Sequence, residues 1–213
     1  MQRIAVIDYG MGNLRSVSQA IRRVAPDDEV LVSDDAATIA SADRIVCPGQ
    51  GAARDCMAAL RASGLDQTVI ETVDTRPFLG ICMGLQVLLD GSDENGGVPC
   101  LGVVPGRVRR LADPLRDEEG ARLKVPHMGW SPVIQSREHA LWHGIVDGAR
   151  FYFAHSYVCE PADPALAVGR CDYGGEFAVA LAYPGFFACQ FHPEKSAADG
   201  LALLANFVAW NGR

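Results

Sequence analysis

A cysteine placed between two glycines is the feature of this sequence best suited to covalent chemistry. Cys82 follows an apolar run at 77–79 and precedes another at 85–89, a pattern that predicts a strand, a sharp turn and a helix. Gly80 and Gly84 permit a strained turn that lifts the thiol clear of the sheet, and a helix start favours a thiolate. Such a sulfur is suited to attack a carbonyl carbon. The competing interpretation is a buried cysteine beside two packing glycines.

A histidine and a glutamate near the end of the chain supply the groups that a nucleophilic cysteine needs. A predicted strand at 186–190 delivers His192 and Glu194 from its C-terminal end, the edge of a parallel sheet where the elbow also opens. We therefore predict a triad in which Cys82 is the nucleophile, His192 the base and Glu194 the acceptor that fixes the imidazole tautomer. A structural histidine beside a solvated glutamate is the alternative, and Pro193, which rigidifies the spacing, argues against it.

Two backbone amides are expected to stabilise the oxyanion of a tetrahedral intermediate. Met83, directly after the nucleophile, supplies the first. We assign the second to Gln50, in the loop 48–51, where glycines permit a peptide to turn over. This loop lacks the lysine and hydroxyl of a phosphate-binding loop, and the turn at 10–12 lacks the third dinucleotide glycine, so nucleotide binding is disfavoured.

Composition limits the class of protein. With 213 residues, 49% of them hydrophobic, and no linker or repeat, the chain is predicted to form a single domain over residues 1–213. A net charge of −7 without a basic cluster argues against a nucleic-acid partner. No apolar run suits a signal peptide or a membrane span, so we expect a cytoplasmic protein that has no membrane partner. Seven scattered cysteines and five histidines without metal-ligand spacing predict reduced thiols, no metal and no cofactor.

The order of apolar runs predicts an α/β fold. The first half alternates strands and helices, which favours a parallel sheet covered on both faces. From Gly102 onward strands and turns dominate, which favours antiparallel pairing, and a last helix closes the chain. We expect a three-layer α/β fold with a central mixed, mostly parallel sheet flanked by helices. The strands of the first half are predicted at 4–7, 30–32, 44–47 and 78–81, and the helices at 14–24, 52–62, 65–73 and 198–210.

These residues together resemble a known family, the class I glutamine amidotransferases, in which the elbow cysteine and a terminal His-Pro-Glu form a glutaminase triad. Within that superfamily the chain is similar to the glutaminase subunits of imidazole glycerol phosphate synthases. The similar segments follow in order along nearly the whole chain, at residues 8–14, 48–51, 80–86, 126–130, 152–157 and 190–196. The resemblance implies the fold of the class I glutamine amidotransferases. It also implies hydrolysis of glutamine to glutamate and ammonia through a thioester.

By the same resemblance, five residues should hold the glutamine substrate. Glu94 should face its ammonium group, and the backbone at Ser156 and Tyr157 should face its carboxylate. The other two are Gly51 and Gln86. Taken without the resemblance, Gln86 and Glu94 are each more often exposed helix or loop residues.

A partner is implied as well. The family docks on a cyclase subunit with a (β/α)₈ barrel and passes ammonia through the barrel, where imidazole glycerol phosphate and an aminoimidazole carboxamide ribotide are made in histidine biosynthesis. Asn13, Met128, Trp130 and Lys195 are the residues expected on or near that face, so the active enzyme is expected to be a heterodimer. From the sequence alone, Trp130 is equally well interpreted as half-buried core.

Two other functions compete with this interpretation. One is a glutaminase of another pathway, such as the partner of a pyridoxal phosphate synthase, against which the segments 8–14 and 126–130 argue. The other is a non-catalytic α/β binding or regulatory module. Such a module would have no chemical need for Cys82, His192 and Glu194 together, which argues against it.

Overall fold

The structure, a computed structural model, describes residues 1–213 and is built around a twelve-stranded mixed sheet. Its first half contains four parallel strands in the order β2-β1-β3-β4. Apolar residues dominate β1 and β4, and β3 and β4 are buried along their whole length, as expected for parallel strands covered on both faces. The bounds are β1 Arg3–Ile7, β2 Glu29–Ser33, β3 Arg44–Gly49 and β4 Phe78–Cys82.

Six α-helices connect or close this half. One group packs α1 against α6, and a second packs α2 and α3 against α4. Gly64, in the left-handed conformation at φ 72°, ends α3 and lets the chain turn directly into α4. The bounds are α1 Leu14–Val24, α2 Ala36–Ala40, α3 Ala53–Ser63, α4 Leu65–Val73, α5 Met83–Gln86 and α6 Ala197–Ala209.

The second half of the sheet is mostly antiparallel. Its first strand, β16, pairs parallel with β4 and antiparallel with β15, so it is the boundary between the two halves. From β15 the sheet continues through β13, β7, β5 and β6, and β14 and β11 branch from it. The bounds are β5 Leu89–Ser92, β6 Val98–Pro99, β7 Val104–Arg110, β11 Ile134–Gln135, β13 Tyr157–Pro161, β14 Ala167–Asp172, β15 Glu176–Tyr183 and β16 Phe186–Cys189.

Two strand pairs lie outside the main sheet. β10 (His127–Pro132) pairs antiparallel with β12 (Arg150–His155), in a register that opposes His127 to His155. β8 (Leu115–Arg116) pairs with β9 (Arg122–Leu123) in the charged segment between β7 and β10. The pair β10–β12 brings the segment at 126–130 next to the strand that leads into β13.

The helix predicted after the elbow is shorter than expected. We interpreted the run at 85–89 as helical, but α5 ends at Gln86 and the chain enters β5 at Leu89. The N–H groups of Leu101, Val103 and Val104 donate to the carbonyls of Val87 and Leu88, which draws this segment into the sheet. The apolar run therefore reflects burial in a strand connection, which periodicity alone does not distinguish from a helix.

One continuous apolar core runs through both halves of the sheet. Phenylalanines from β4, β12, β16 and α6 are fully buried in it, and Phe191 directly before the predicted catalytic histidine joins them. The end of β16 is therefore fixed by close packing. None of the helices has the length and apolar composition that a membrane crossing requires.

Candidate active site

Cys82 sits at the apex of a strained turn. It is the last residue of β4, and its φ of 55° and ψ of −110° lie in a region that non-glycine residues rarely adopt. Packing behind it requires glycine: a Cβ on Gly84 would collide with the backbone carbonyl of Cys47, and one on Gly80 would lie 2.8 Å from the carbonyl oxygen of Gly84. Close backbone approach therefore holds the thiol above the strand.

His192 and Glu194 form a buried pair beside this thiol. The Nδ1–H of His192 donates to Oε1 of Glu194 over 2.9 Å, and the Glu194 side chain is fully buried. Burial lowers the pKa of His192, but hydrogen bonds to Cys82 and Glu194 outweigh it and raise the pKa to about 9. At neutral pH the ring is therefore protonated and faces the sulfur. The three predicted triad residues are brought together in one cluster.

A serine fixes the turn that carries this pair. His192 is followed by a single turn of 3-10 helix, Pro193–Lys195. The Ser196 hydroxyl donates to the carbonyl oxygen of His192 over 2.6 Å and accepts the Tyr152 N–H over 3.0 Å. The N–H of His192 in turn donates to the Tyr152 carbonyl. The backbone N–H and the backbone carbonyl of His192 are thus both connected to Tyr152 on β12, which fixes the position of the imidazole.

A cavity of about 340 Å³ opens over Cys82 and His192, in the lower part of the size range of small-molecule sites. Glu194 lies behind the imidazole, and Asn13 and Trp130 lie outside the lining. Most of the other predicted site residues do line it, namely Gln50, Gly51, Met83, Gln86, Glu94, Met128, Ser156, Tyr157 and Lys195.

The loop after β3 borders the same cavity. Gly49 pairs in register with Cys82, so Gln50 and Gly51 follow directly beside the thiol. A Cβ on Gly49 would lie 2.7 Å from the Cβ of Met83, so only glycine allows this approach. The thiol of Cys56 donates to the Gln50 carbonyl over 3.3 Å, and Gly51 has a φ of 95°.

Of the predicted substrate residues, Gln86 is buried, Glu94, Ser156 and Tyr157 are partly buried, and Gly51 is exposed. Gln86 is 3% exposed, and its Nε2 donates to the carbonyl of Tyr157 over 3.3 Å. One carboxylate oxygen of Glu94 accepts the N–H of Ala53 over 2.6 Å at the start of α3. Ser156 lies at the break between β12 and β13. The alternative interpretation of Gln86 as an exposed residue is wrong.

Comparison with known proteins places this chain in a family. The family model described as "Glutamine amidotransferase class-I" matches residues 5–210. The chain belongs to the class I glutamine amidotransferases. It is 58% identical to "Imidazole glycerol phosphate synthase subunit HisH 1" of Pseudomonas aeruginosa, in a match that covers all of this chain and 99% of the relative. It is 56% identical to "Imidazole glycerol phosphate synthase subunit HisH" of Pseudomonas putida over the full length of both chains.

The fold is also that of this family. A crystal structure of a glutamine amidotransferase superposes with a TM-score of 0.71 at 17% identity and covers 97% of each chain. The predicted α/β class, with a mixed, mostly parallel central sheet, is confirmed.

Two of the residues predicted for the partner face, Trp130 and Lys195, contact Tyr152, and Met128 lies on the same strand as Trp130. Met128 and Trp130 on β10 are 64% and 46% exposed, so Trp130 is not a core residue. Its ring lies edge-on to Tyr152 at 6.2 Å, and Nζ of Lys195 lies 5.8 Å from the centre of the same ring. Asn13 instead precedes α1, where its carbonyl accepts the N–H of Val17.

Sequence reasoning missed a buried pair of histidines beside the cavity. Nδ1 of His155 donates to the Tyr157 carbonyl over 2.9 Å, which leaves its Nε2 to accept from Nδ1 of His127 over 3.0 Å. Nε2 of His127 then accepts from the Ser131 hydroxyl over 2.8 Å. Burial lowers the pKa of both rings to about 4, so both are neutral. The only signal in the sequence was the presence of both histidines inside the family motifs at 126–130 and 152–157.

Proposed function

We propose that this chain hydrolyses glutamine through a thioester on Cys82. The observation that carries the proposal is geometric: His192 is bound to the buried Glu194 and lines one cavity together with Cys82, which sits on a strained turn. A nucleophile, its base and a group that orients the base form together the arrangement that serves covalent amide hydrolysis. Membership of the class I glutamine amidotransferases supports glutamine as the amide.

The reaction follows from these positions. The thiolate attacks the side-chain carboxamide carbon of glutamine, and His192 gives its proton to the nitrogen, which leaves as ammonia. His192, now neutral, then takes a proton from water as the water attacks the thioester. Glutamate leaves, and the thiolate and the protonated imidazole with which the cycle began are restored. Glu194 accepts the Nδ1–H throughout and stabilises the charged ring.

The N–H of Met83 and the N–H of Gln50 are assigned to the oxyanion that forms in both steps. Support for Met83 is its place as the first residue of α5 directly after the nucleophile. Support for Gln50 is the pairing of Gly49 with Cys82, which brings the next peptide beside the thiol. Glycines on both sides of Gln50 permit this peptide to turn when substrate binds.

The cavity wall supplies groups for the rest of the substrate. Glu94 is assigned to the ammonium group, because one of its oxygens is bound to Ala53 and the side chain lines the cavity. The backbone at Ser156 and Tyr157 is assigned to the carboxylate of the substrate. Gln86 and Gly51 are assigned to the side chain of the substrate. These residues all border the cavity above Cys82.

We further propose that the chain is a single cytoplasmic domain and forms the glutaminase subunit of imidazole glycerol phosphate synthase. The relatives of 56–58% identity that are named HisH subunits of imidazole glycerol phosphate synthase support it. Free ammonia would be protonated in water, so delivery of ammonia to the next reaction needs a cyclase subunit, a (β/α)₈ barrel, docked over the cavity. Asn13, Met128, Trp130 and Lys195 are assigned to that heterodimer interface. The exposure of Met128 and Trp130 next to the cavity supports the assignment.

The test is release of glutamate by the purified chain, alone and with a candidate cyclase and its nucleotide substrate. We expect slow hydrolysis by the chain alone and acceleration by the complex, because the peptide at Gln50 must turn to complete the oxyanion site. Hydrolysis that no cyclase accelerates would favour a glutaminase of another pathway. Absence of hydrolysis in both samples would contradict the proposal.

A further inference from the structure

Gln190 is a fully buried polar residue that the mechanism above does not use. It follows β16 directly and precedes His192 by two positions, and it is 1% exposed. Its backbone N–H donates to the Val179 carbonyl over 2.8 Å. Its side-chain Nε2 lies 3.7 Å from the sulfur of Cys82, within hydrogen-bonding distance for a sulfur acceptor. The end of β16 therefore brings two side chains to the thiol, an imidazole and an amide.

The orientation of this amide is fixed by its neighbours. The Tyr157 carbonyl can only accept, so the Gln86 group that faces it must be the NH₂. The same NH₂ group donates to Oε1 of Gln190 over 2.8 Å. The other end of the Gln190 amide, its NH₂ group, then faces Cys82. A flipped Gln190 would place two NH₂ groups against each other and an oxygen against the sulfur.

The Tyr157 carbonyl, which sets the orientation of both amides, is held in place by a second hydrogen bond. It also accepts the Nδ1–H of His155, and this contact fixes the tautomer of His155 and, through it, that of His127. A directed series of hydrogen bonds thus runs from Tyr157 through Gln86 and Gln190 to the nucleophile. Every member is buried or partly buried, so solvent does not compete with these bonds.

We propose that Gln190 is a further catalytic residue, whose amide N–H donates to the sulfur of Cys82 and stabilises the thiolate before it attacks. The inference rests on the proposed role of Cys82 as nucleophile. A buried amide N–H without an acceptor would cost free energy, and the sulfur is the acceptor that the structure gives it. Gln190 and His192 then stabilise the same charge by two independent contacts, one neutral and one ionic.

The test follows alkylation of Cys82 by iodoacetamide as a function of pH, read out by mass spectrometry of the peptide that contains it. In Gln190→Met, which removes the donor at similar volume, we expect alkylation about tenfold slower at neutral pH, the effect of one hydrogen bond to a charged group. At high pH, where the thiol ionises without help, the rate should return to that of the wild type. Gln190→Glu should be slower still at neutral pH, because a carboxylate repels the thiolate.

Gln135→Met is the matched control, because its Nε2 donates to a backbone carbonyl, that of Ile145, far from the cavity. It should alkylate like the wild type. The inference is overturned if Gln190→Met reacts at the wild-type rate at neutral pH, or if it is slowed equally at every pH, since a purely structural defect would do that. Alkylation needs no glutamine, so failure of glutamine hydrolysis in the wild type would contradict the proposed function and leave this result standing.

Discussion

The two halves of the sheet position their functional groups by opposite means. In the parallel half, Cys82 is held by the absence of side chains, since Gly49 and Gly84 leave no room for a methyl group. In the antiparallel half, the backbone at Tyr157 is held by the presence of side chains, through His155 and Gln86. The first device is steric and insensitive to pH. The second depends on protonation states.

The histidines of the site show the same contrast. His192, at the boundary between the halves, has a pKa raised to about 9, whereas burial lowers the pKa of His127 and His155 to about 4. One ring must carry charge to do its work, and the other two must remain neutral to keep their hydrogen bonds. All three rings are buried and start from the same ordinary pKa, so the difference between their pKa values comes from their hydrogen-bond partners and nearby groups.

Removing the nucleophile should give the largest effect. We expect Cys82→Ala to lower glutamine hydrolysis by at least about 10⁴-fold, because no other group can form the thioester. In complex with the cyclase, the variant should still support product formation from added ammonium salt. Loss of both activities would show that Cys82 is needed for folding or assembly instead.

The steric device can be tested with one methyl group at two glycines. Gly84→Ala should destabilise the fold by more than about 3 kcal/mol, because the methyl meets a backbone carbonyl that cannot move. Gly64→Ala adds the same methyl in open space and should cost about 1 kcal/mol, the strain of a left-handed alanine. Urea unfolding of both variants measures the difference. Equal losses would mean that close packing behind the elbow is unimportant.

The hydrogen-bonded histidine pair predicts how the stability of the fold changes with acid. The unfolded chain binds protons at His127 and His155 near pH 6.5, whereas the folded rings do so only near pH 4, so stability falls as pH decreases from about 6.5 towards 4. The loss should be about 2 kcal/mol for each ring by about pH 5. His192 has the opposite sign: its contribution is complete below pH 6.5 and is lost as pH rises through about 9.

Nitrogen chemical shifts of the three rings check this directly. At about pH 5.5 we expect neutral His127 and His155, with Nδ1 protonated in both, and a charged His192. A charged His127 or His155 in the folded protein at that pH would contradict the contrast between the two halves.

The smallest effect is expected at the far end of the histidine pair. Ser131→Ala removes the donor to His127 and should cost about 1 kcal/mol of stability. It should also raise KM for glutamine a few-fold with little change in kcat, because it loosens the wall near Tyr157. Ser136→Ala loses a comparable bond to the Ala167 carbonyl and serves as the control, with no change in KM. Equal KM values in the two variants would separate the histidine pair from substrate binding.

Elements with strong local signals were predicted closely. Amphipathic periodicity gave α1 and α4 with the bounds that the structure has, and the apolar runs gave β1 and β4 within one residue. The helix α2 was not predicted, since five residues carry too little periodicity to be distinguished from a turn. The helix predicted at 85–89 was wrong for a related reason, because a short apolar segment fits either a helix or a buried strand connection.

Prediction of the site from sequence has a similar limit for contacts between residues that are far apart in the chain. Cys82, His192 and Glu194 are motif residues, and their convergence was predicted from the common edge of parallel strands. The hydrogen bonds of Gln190, His127 and His155 join residues far apart in sequence, so no spacing rule indicates them. The second role of Glu94 at the start of α3 was hidden for the same reason.

The central claim is that glutamine is split through a covalent intermediate on the sulfur of Cys82, assisted by His192. The most direct measurement is an acid quench during turnover of glutamine, followed by intact and peptide mass spectrometry. The account predicts one glutamyl group in thioester linkage on the peptide that contains Cys82, and none in Cys82→Ala. Steady hydrolysis without any adduct in Cys82→Ala, or an adduct on another of the seven cysteines, would contradict it.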